Sequence, residues 1–311
     1  MTRFLLKKIL ILLLSLFMVA SITFALMQII PGDPFTQEKA VPEEILKAMY
    51  KHYGLDQPWY VQYYRYMKGL ITFDLGPSFK YQGRTVTEII REGFPVSMTL
   101  GLEALILSIF CGIALGSIAA LKHLKWQDHL TMVLAVLGIS VPSFILATFL
   151  QYLVSMKWDL LPVARWGSLD HSILPALALA ALPTAFIARL TRSNMVEIMQ
   201  EDYIQTARAK GLNPYQIVIR HALRNALLPI VTYLGPLTTA ILTGSFAVEK
   251  IFGIPGLGQW FVMSITNRDY TVIMGTTVFY SAILMLCVFF VDILYCLVDP
   301  RIQLVHKKVE V

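Results

Sequence analysis

The chain has 311 residues, of which 56% are hydrophobic and only 15% charged, with a mean hydropathy of +0.63 and a formal net charge of +6. A globule of this length cannot hide so much apolar surface, which excludes a water-soluble enzyme or binding domain and makes lipid the solvent for much of the chain. The positive charge lies in no Lys/Arg-dense run with interleaved aromatics, so it points to basic cytoplasmic loops rather than to a nucleic-acid partner.

In chain order, Arg3, Lys7 and Lys8 precede an apolar run from Ile9 to Ile30. That run is too long for the apolar region of an ordinary signal peptide, and no A-x-A cleavage site follows it. At ~1.5 Å per residue it crosses a hydrocarbon core of ~30 Å, and it reads as an uncleaved first transmembrane helix, residues 1–30. Residues 31–95 form the first outer loop. Pro42, Glu43 and Glu44 start an amphipathic helix through Ile45, Leu46, Met49, Tyr50 and Tyr53, which Gly54 ends. Asp56 is the expected cap of a second helix through Pro58, Trp59, Tyr63, Tyr64 and Met67, with its aromatics at headgroup level.

Further apolar stretches follow at Val96–Leu121, Leu130–Met156, Ile173–Leu190, Ala226–Val248 and Thr271–Val298. The predicted fold is all-α and polytopic, with six transmembrane helices. Residues 96–300 form the core membrane domain and 301–311 a tail. Pro175 and Pro183 in the fourth stretch, and Pro229 and the Gly235–Pro236 pair in the fifth, either kink helices or mark the permeation path. Cys111, Cys287 and Cys296 all fall in apolar segments without CxxC spacing, so they read as small packing residues.

Basic residues orient the chain. The odd-numbered outer loops beyond the first hold only Lys157 and Arg165, then Lys250 and Arg268. The inner segments hold Lys122 and Lys125, then Arg189, Arg192, Arg208, Lys210, Arg220 and Arg224, and finally Arg301, Lys307 and Lys308. Both termini are therefore expected in the cytoplasm. The long first loop balances eight basic against eight acidic residues and carries no signal.

The longest inner loop, 193–225, has internal structure. Asp202–Lys210 reads as a short helix stopped by Gly211, and Asn213 and Pro214 supply a cap and first-turn proline for another helix through Ile219. Such a basic helix–glycine–helix is either a docking surface for a soluble partner or a solvated loop obeying the charge rule.

Catalytic and energy-coupling chemistry is missing. The chain has no G-x-x-x-x-G-K-[ST] loop, and the glycines of GIPGLG (Gly253, Gly256, Gly258) lack its spacing. It has no H-E-x-x-H, G-x-S-x-G or S-x-x-K, and its six histidines assemble no ligand spacing. Few ionisable groups sit at membrane depth: Glu103 lines the path or merely resides in its helix, and Asp292 either reaches the cytoplasmic interface or stays at membrane depth near the inner end of its helix. Gln151 is a further candidate path-lining group. An ion-coupled carrier needs more intramembrane charge, and a channel needs a filter that is not here.

The segment Tyr203–Pro229, YIQTARAKGLNPYQIVIRHALRNALLP, resembles the cytoplasmic "EAA" loop of permease subunits in binding-protein-dependent ABC importers. Ala207 and Gly211 match the motif, Thr206 replaces its middle alanine and Gln205 replaces its acid, a variant of the peptide and nickel branch. PGDPFTQE (Pro31–Glu38), GPSFKY (Gly76–Tyr81), ARLTRSNM (Ala188–Met195), TGSFAVEKIFGIPGLGQWFV (Thr243–Val262), NRDY (Asn267–Tyr270) and VDILYCLVDPRI (Val291–Ile302) resemble the B-type permease subunit of oligopeptide importers.

This resemblance implies a type I importer fold and transport of oligopeptides, with dipeptides or nickel chelates as alternatives. It implies a homologous second permease subunit, two cytoplasmic ATPase subunits that hold ATP and Mg, and an extracytoplasmic peptide-binding protein. No cofactor or metal is expected on this chain. By the same resemblance Tyr203, Gln205, Thr206, Ala207, Lys210 and Gly211 dock the ATPase, and Glu249, Gly253, Gly256 and Gly258 face the binding protein.

Overall fold

A computed structural model of the protein describes residues 2–30, 35, 43–242 and 246–298. Pro42, nearly all of Pro31–Glu38, the tail 301–311 and the carboxyl group of Asp292 lie outside the described residues. Every regular element among the described residues is helical. The first are α1 (Thr2–Ile29), α2 (Glu43–Tyr53), α3 (Trp59–Thr72) and α4 (Val86–Leu121). Then come α5 (Trp126–Ser140), α6 (Ser143–Leu150) continued by a π-helical turn Gln151–Lys157, and α7 (Leu169–Ile198). Next are α8 (Asp202–Ala209), α9 (Pro214–Gln216) with a second π-helical segment Ile217–Leu223, and α10 (Arg224–Ala226). The chain continues through α11 (Leu228–Leu242), α12 (Phe246–Ile251), α13 (Leu257–Asn267) and α14 (Tyr270–Val298).

Local chemistry explains the boundaries. Glu43 and Glu44 complement the dipole at the start of α2, Lys51 and His52 do so at its end, and Gly54 stops it with φ +69°. The start of α3 differs from expectation: Pro58, not Asp56, is the cap, its carbonyl accepting from Val61 and Gln62 N–H. Asp56 stands two residues too early to reach those donors. The expected straight span Leu130–Met156 is instead broken, the chain bending by 106° between α5 and the α6 segment. Pro142 is the cause. It forces Val141 into extended backbone (φ −88°, ψ 118°) and caps α6.

By length and composition α1, α4, α7 and α14 can each cross a bilayer, and the bent α5–α6 pair is a fifth candidate. α4 starts well before the expected Val96 and carries Pro95 inside it, and α7 likewise runs through Pro175 and Pro183. The expected fifth stretch, Ala226–Val248, is divided among α10, α11 and α12, and residues 243–245 lie outside the described residues. With 15 residues, α11 is about 22 Å long.

The chain forms two compact units, Met1–Val96 with Pro255–Leu286, and Ser97–Ile254 with Cys287–Val311. In the first, Val86, Ile89, Ile90, Leu257 and Val272 make a buried apolar cluster. Beside it the buried Asp269 carboxylate accepts from Ser78 Oγ, from Phe79 N–H at 3.2 Å and from Thr271 Oγ1 at 3.0 Å, tying the turn after α3 to the start of α14. In the second unit Ala104, Ala180, Ile187, Ile230, Leu237 and Ile241 join α4, α7 and α11. Small residues let α4 and α7 close in: a Cβ at Gly116 would lie 2.4 Å from Ala188 O.

Candidate functional site

The helix–glycine–helix between α7 and α11 forms as the sequence predicts. α8 ends where Lys210 N–H bonds Thr206 O (3.0 Å) and Gly211 N–H bonds Arg208 O (2.9 Å). Gly211 then turns the chain at φ +76°, and a Cβ there would meet nothing within 4 Å. Only the backbone conformation, not crowding, therefore calls for glycine. Asn213 caps the next turn: its Oδ1 accepts from Tyr215 N–H at 3.0 Å, and its carbonyl accepts from Ile217 N–H at 3.1 Å. The helix does not stop at Ile219 but continues as the π-helical segment into α10 and α11.

α8 has two faces. Ile204 and Ala207 are buried with Met195 of α7, Ile217 and Ala222 of the π segment, Ala226 of α10 and Ala120 of α4. Ala207, expected to meet a partner, thus faces inward, where its small side chain lets α8 sit close to the π segment Ile217–Leu223. The outward face carries Tyr203, Gln205, Thr206, Arg208, Lys210 and Gly211, followed by Leu212 and Tyr215, the last 71% exposed. Thr206 Oγ1 is engaged within its own helix, donating to Asp202 O at 3.0 Å, and Tyr203 Oη accepts from Asn225 Nδ2 at 2.9 Å. A short helix with an exposed rim of Tyr, Leu, Arg and Lys, seated on a small-residue base, suits a complementary groove on a soluble partner.

An ion pair that sequence reading missed sits on the neighbouring helices. Asp128, 2% exposed, accepts from Arg192 Nε and Nη2 (both 2.8 Å) and from Leu124 N–H (3.0 Å), with His123 Nδ1 at 3.2 Å. It fixes the start of α5 to α7, the helix that carries α8.

The other expected groups lie elsewhere. Glu103 is half-buried on α4 and makes no hydrogen bond or ion pair among the described residues. Gln151 opens the first π-helical turn, and its Nε2 donates to Val163 O (2.8 Å) and Ile251 O (3.1 Å). Its amide braces the loop after α6 against α12. Glu249, expected on a partner-facing surface, is instead fully buried and accepts from Ser97 Oγ at 2.7 Å. Val248 and Glu249 form the inward side of this short helix and Lys250 the outward side, with Phe252 buried just beyond its end, an alternation too brief to read from sequence. Gly253 is exposed at φ +61° in the second unit, whereas Gly256 and Gly258 are buried at the start of α13 in the first. Among the described residues no three His, Cys, Asp or Glu side chains could hold a metal ion.

Comparison with known proteins gives this arrangement a family. Residues 112–304 match the family described as "Binding-protein-dependent transport system inner membrane component", and residues 1–101 match its N-terminal companion. The chain is 51% identical to the dipeptide transport system permease protein DppB of Bacillus subtilis (strain 168), over 99% of this chain and 100% of that one. It is 41% identical to the oligopeptide transport system permease protein OppB of Salmonella typhimurium, over 97% of this chain and 100% of that one. Among solved structures it shares its fold with the inward-facing MetNI methionine ABC transporter, with a TM-score of 0.57 at 17% identity, over 68% of this chain and 97% of the other. The chain belongs to the family of binding-protein-dependent transport system inner membrane components, as a multi-pass protein of the cytoplasmic membrane.

Proposed function

We propose that this chain is the pore-forming permease subunit of an ATP-driven importer of short peptides, working with a homologous second permease, two cytoplasmic ATPases and an extracytoplasmic peptide-binding protein. The observation that carries this reading is the two-faced α8: outward polar and aromatic groups for an ATPase groove, inward Ile204 and Ala207 seated on α7 and the π segment. Displacement of α8 by closure of the ATPase dimer passes directly into α7 and, through the π segment and α10, into α11. That is a bistable helix bundle biased from a remote site. The chain supplies no nucleotide chemistry, and ATP and Mg belong to the partner ATPases. Both termini lie in the cytoplasm, and the bundle crosses the membrane six times with α10–α12 as the fifth passage. Glu103, half-buried and unpaired among the described residues, faces the path, and the exposed Lys250 and Gly253 face the binding protein. The higher identity to a dipeptide permease than to an oligopeptide one supports the shorter substrate.

Affinity purification of the tagged chain from mild detergent, followed by mass spectrometry of bound subunits and ligand, tests the assembly. Recovery of a second permease of this family and ATPase subunits is expected. A chain that purifies alone or only with itself, and transports nonetheless, contradicts it.

A further inference from the structure

α3 presents an apolar stripe that no described residue of its own unit covers. Tyr60, Tyr64 (68% exposed) and Ile71 (80%) recur on one side at helical spacing, with Trp59 (66%) at the start and Phe73 (81%) at the end. The opposite side is held on α1. Tyr63 Oη lies 2.8 Å from Ser21 Oγ, Phe24 meets Tyr63 edge-on at 5.3 Å and stacks on Tyr66 at 5.8 Å, and Gln28 Nε2 donates to Gln62 at 3.1 Å.

These contacts set a depth. The apolar span of α1 runs to Ile29, so Ser21 lies about 12 Å and Phe24 about 7 Å inside its end. A helix that passes Gln28 and sends Tyr63 down to Ser21 lies at the boundary between acyl chains and headgroups. At the same levels α1 exposes Met18, Ile22, Leu26 and Ile29, apolar side chains on a span suited by length and composition to lipid. Phe73 adds an independent sign. It caps α3 in the left-handed region at φ 57°, a conformation that favours glycine, yet carries a large and almost fully exposed ring. Packing within the unit gives no reason for a phenylalanine there, whereas a membrane surface does. The exposed Arg65 and Lys68 suit anionic headgroups.

We propose that α3 is an interfacial helix, its Tyr60–Tyr64–Ile71–Phe73 stripe seated in the acyl–headgroup boundary of the leaflet at the C-terminal end of α1. It braces the first crossing laterally and fixes the level of the loop that follows.

The test uses the full chain with its three cysteines replaced by alanine, reconstituted in bilayers containing phosphatidylglycerol. A nitroxide is attached after Tyr64→Cys or Ile71→Cys, and after Lys47→Cys on the exposed side of α2 as a control. Collision rates are measured with oxygen, which partitions into lipid, and with a water-soluble nickel chelate. The expected result is oxygen collisions severalfold above nickel collisions at positions 64 and 71, and the reverse at position 47. Nickel collisions dominating at 64 and 71 would place the stripe in open water. Exclusion of both reagents would place a protein surface on it. Either result overturns the proposal.

Discussion

Removing the Asp128 carboxylate leaves the Arg192 guanidinium without its bidentate acceptor and Leu124 N–H without a partner. Asp128→Leu is expected to lower the unfolding free energy in detergent by about 3 kcal/mol, the low end for a broken buried pair because Arg192 keeps some access to solvent. The paired change Asp128→Leu with Arg192→Met is expected to recover most of that loss, because it removes both charges together. Additive losses in the pair, read as thermal midpoints, would show that the ion pair does not fix α5 to α7. No local pattern in the sequence announces this pair, because its members are 64 residues apart. Gly211 was legible for the opposite reason: helix, glycine, Asn and Pro lie in one short run whose backbone needs are local. Gly211→Val forces a β-branched residue to positive φ at about 1–2 kcal/mol. It is expected to abolish ATP-dependent uptake while the chain still inserts, whereas Gly211→Asn keeps most uptake because asparagine tolerates that region. Equal activity of the two variants would show that the left-handed turn is not what the loop requires.

For whole elements, α8 is where packing and function meet. Ala207 sits in the buried cluster between α8 and the π segment, so Ala207→Leu overpacks that seam at about 1–3 kcal/mol and tilts α8 off its base. Uptake and the amount of ATPase co-purified are both expected to fall, whereas Gln205→Ala on the outward side leaves stability unchanged and weakens only docking. Full ATPase recovery with Ala207→Leu would mean that the seat of α8 does not position the docking face. The starts and stops of α2 and α8 could be read from sequence, because acids, glycine and proline act within one turn. The break between α5 and α6 passed unread, although Pro142 stood in plain view, because its surroundings are uniformly apolar and hydropathy does not register a bend. The π-helical segments also escaped, since one extra residue per turn leaves no clear mark on a hydrophobic pattern. The same limit hid the burial of Glu249, whose short helix offers a single turn of alternation.

Across the whole molecule, composition alone required lipid, and the family and the helical fold agree with that requirement. The crossing count was less legible. A 15-residue α11 flanked by short helices is apolar enough to read as a span yet too short to be one alone. What no single segment could reveal is the source of energy, because the absence of a phosphate loop says only that this chain lacks one. On the proposed function, transport through this chain is driven by ATP on partner subunits. The direct measurement is uptake of a labelled dipeptide by liposomes containing the purified complex, with ATP enclosed and the peptide-binding protein outside. Uptake is expected to require both ATP and the binding protein and to be lost with Gly211→Val. Uptake by this chain alone, driven by a proton or sodium gradient without ATP, would contradict it.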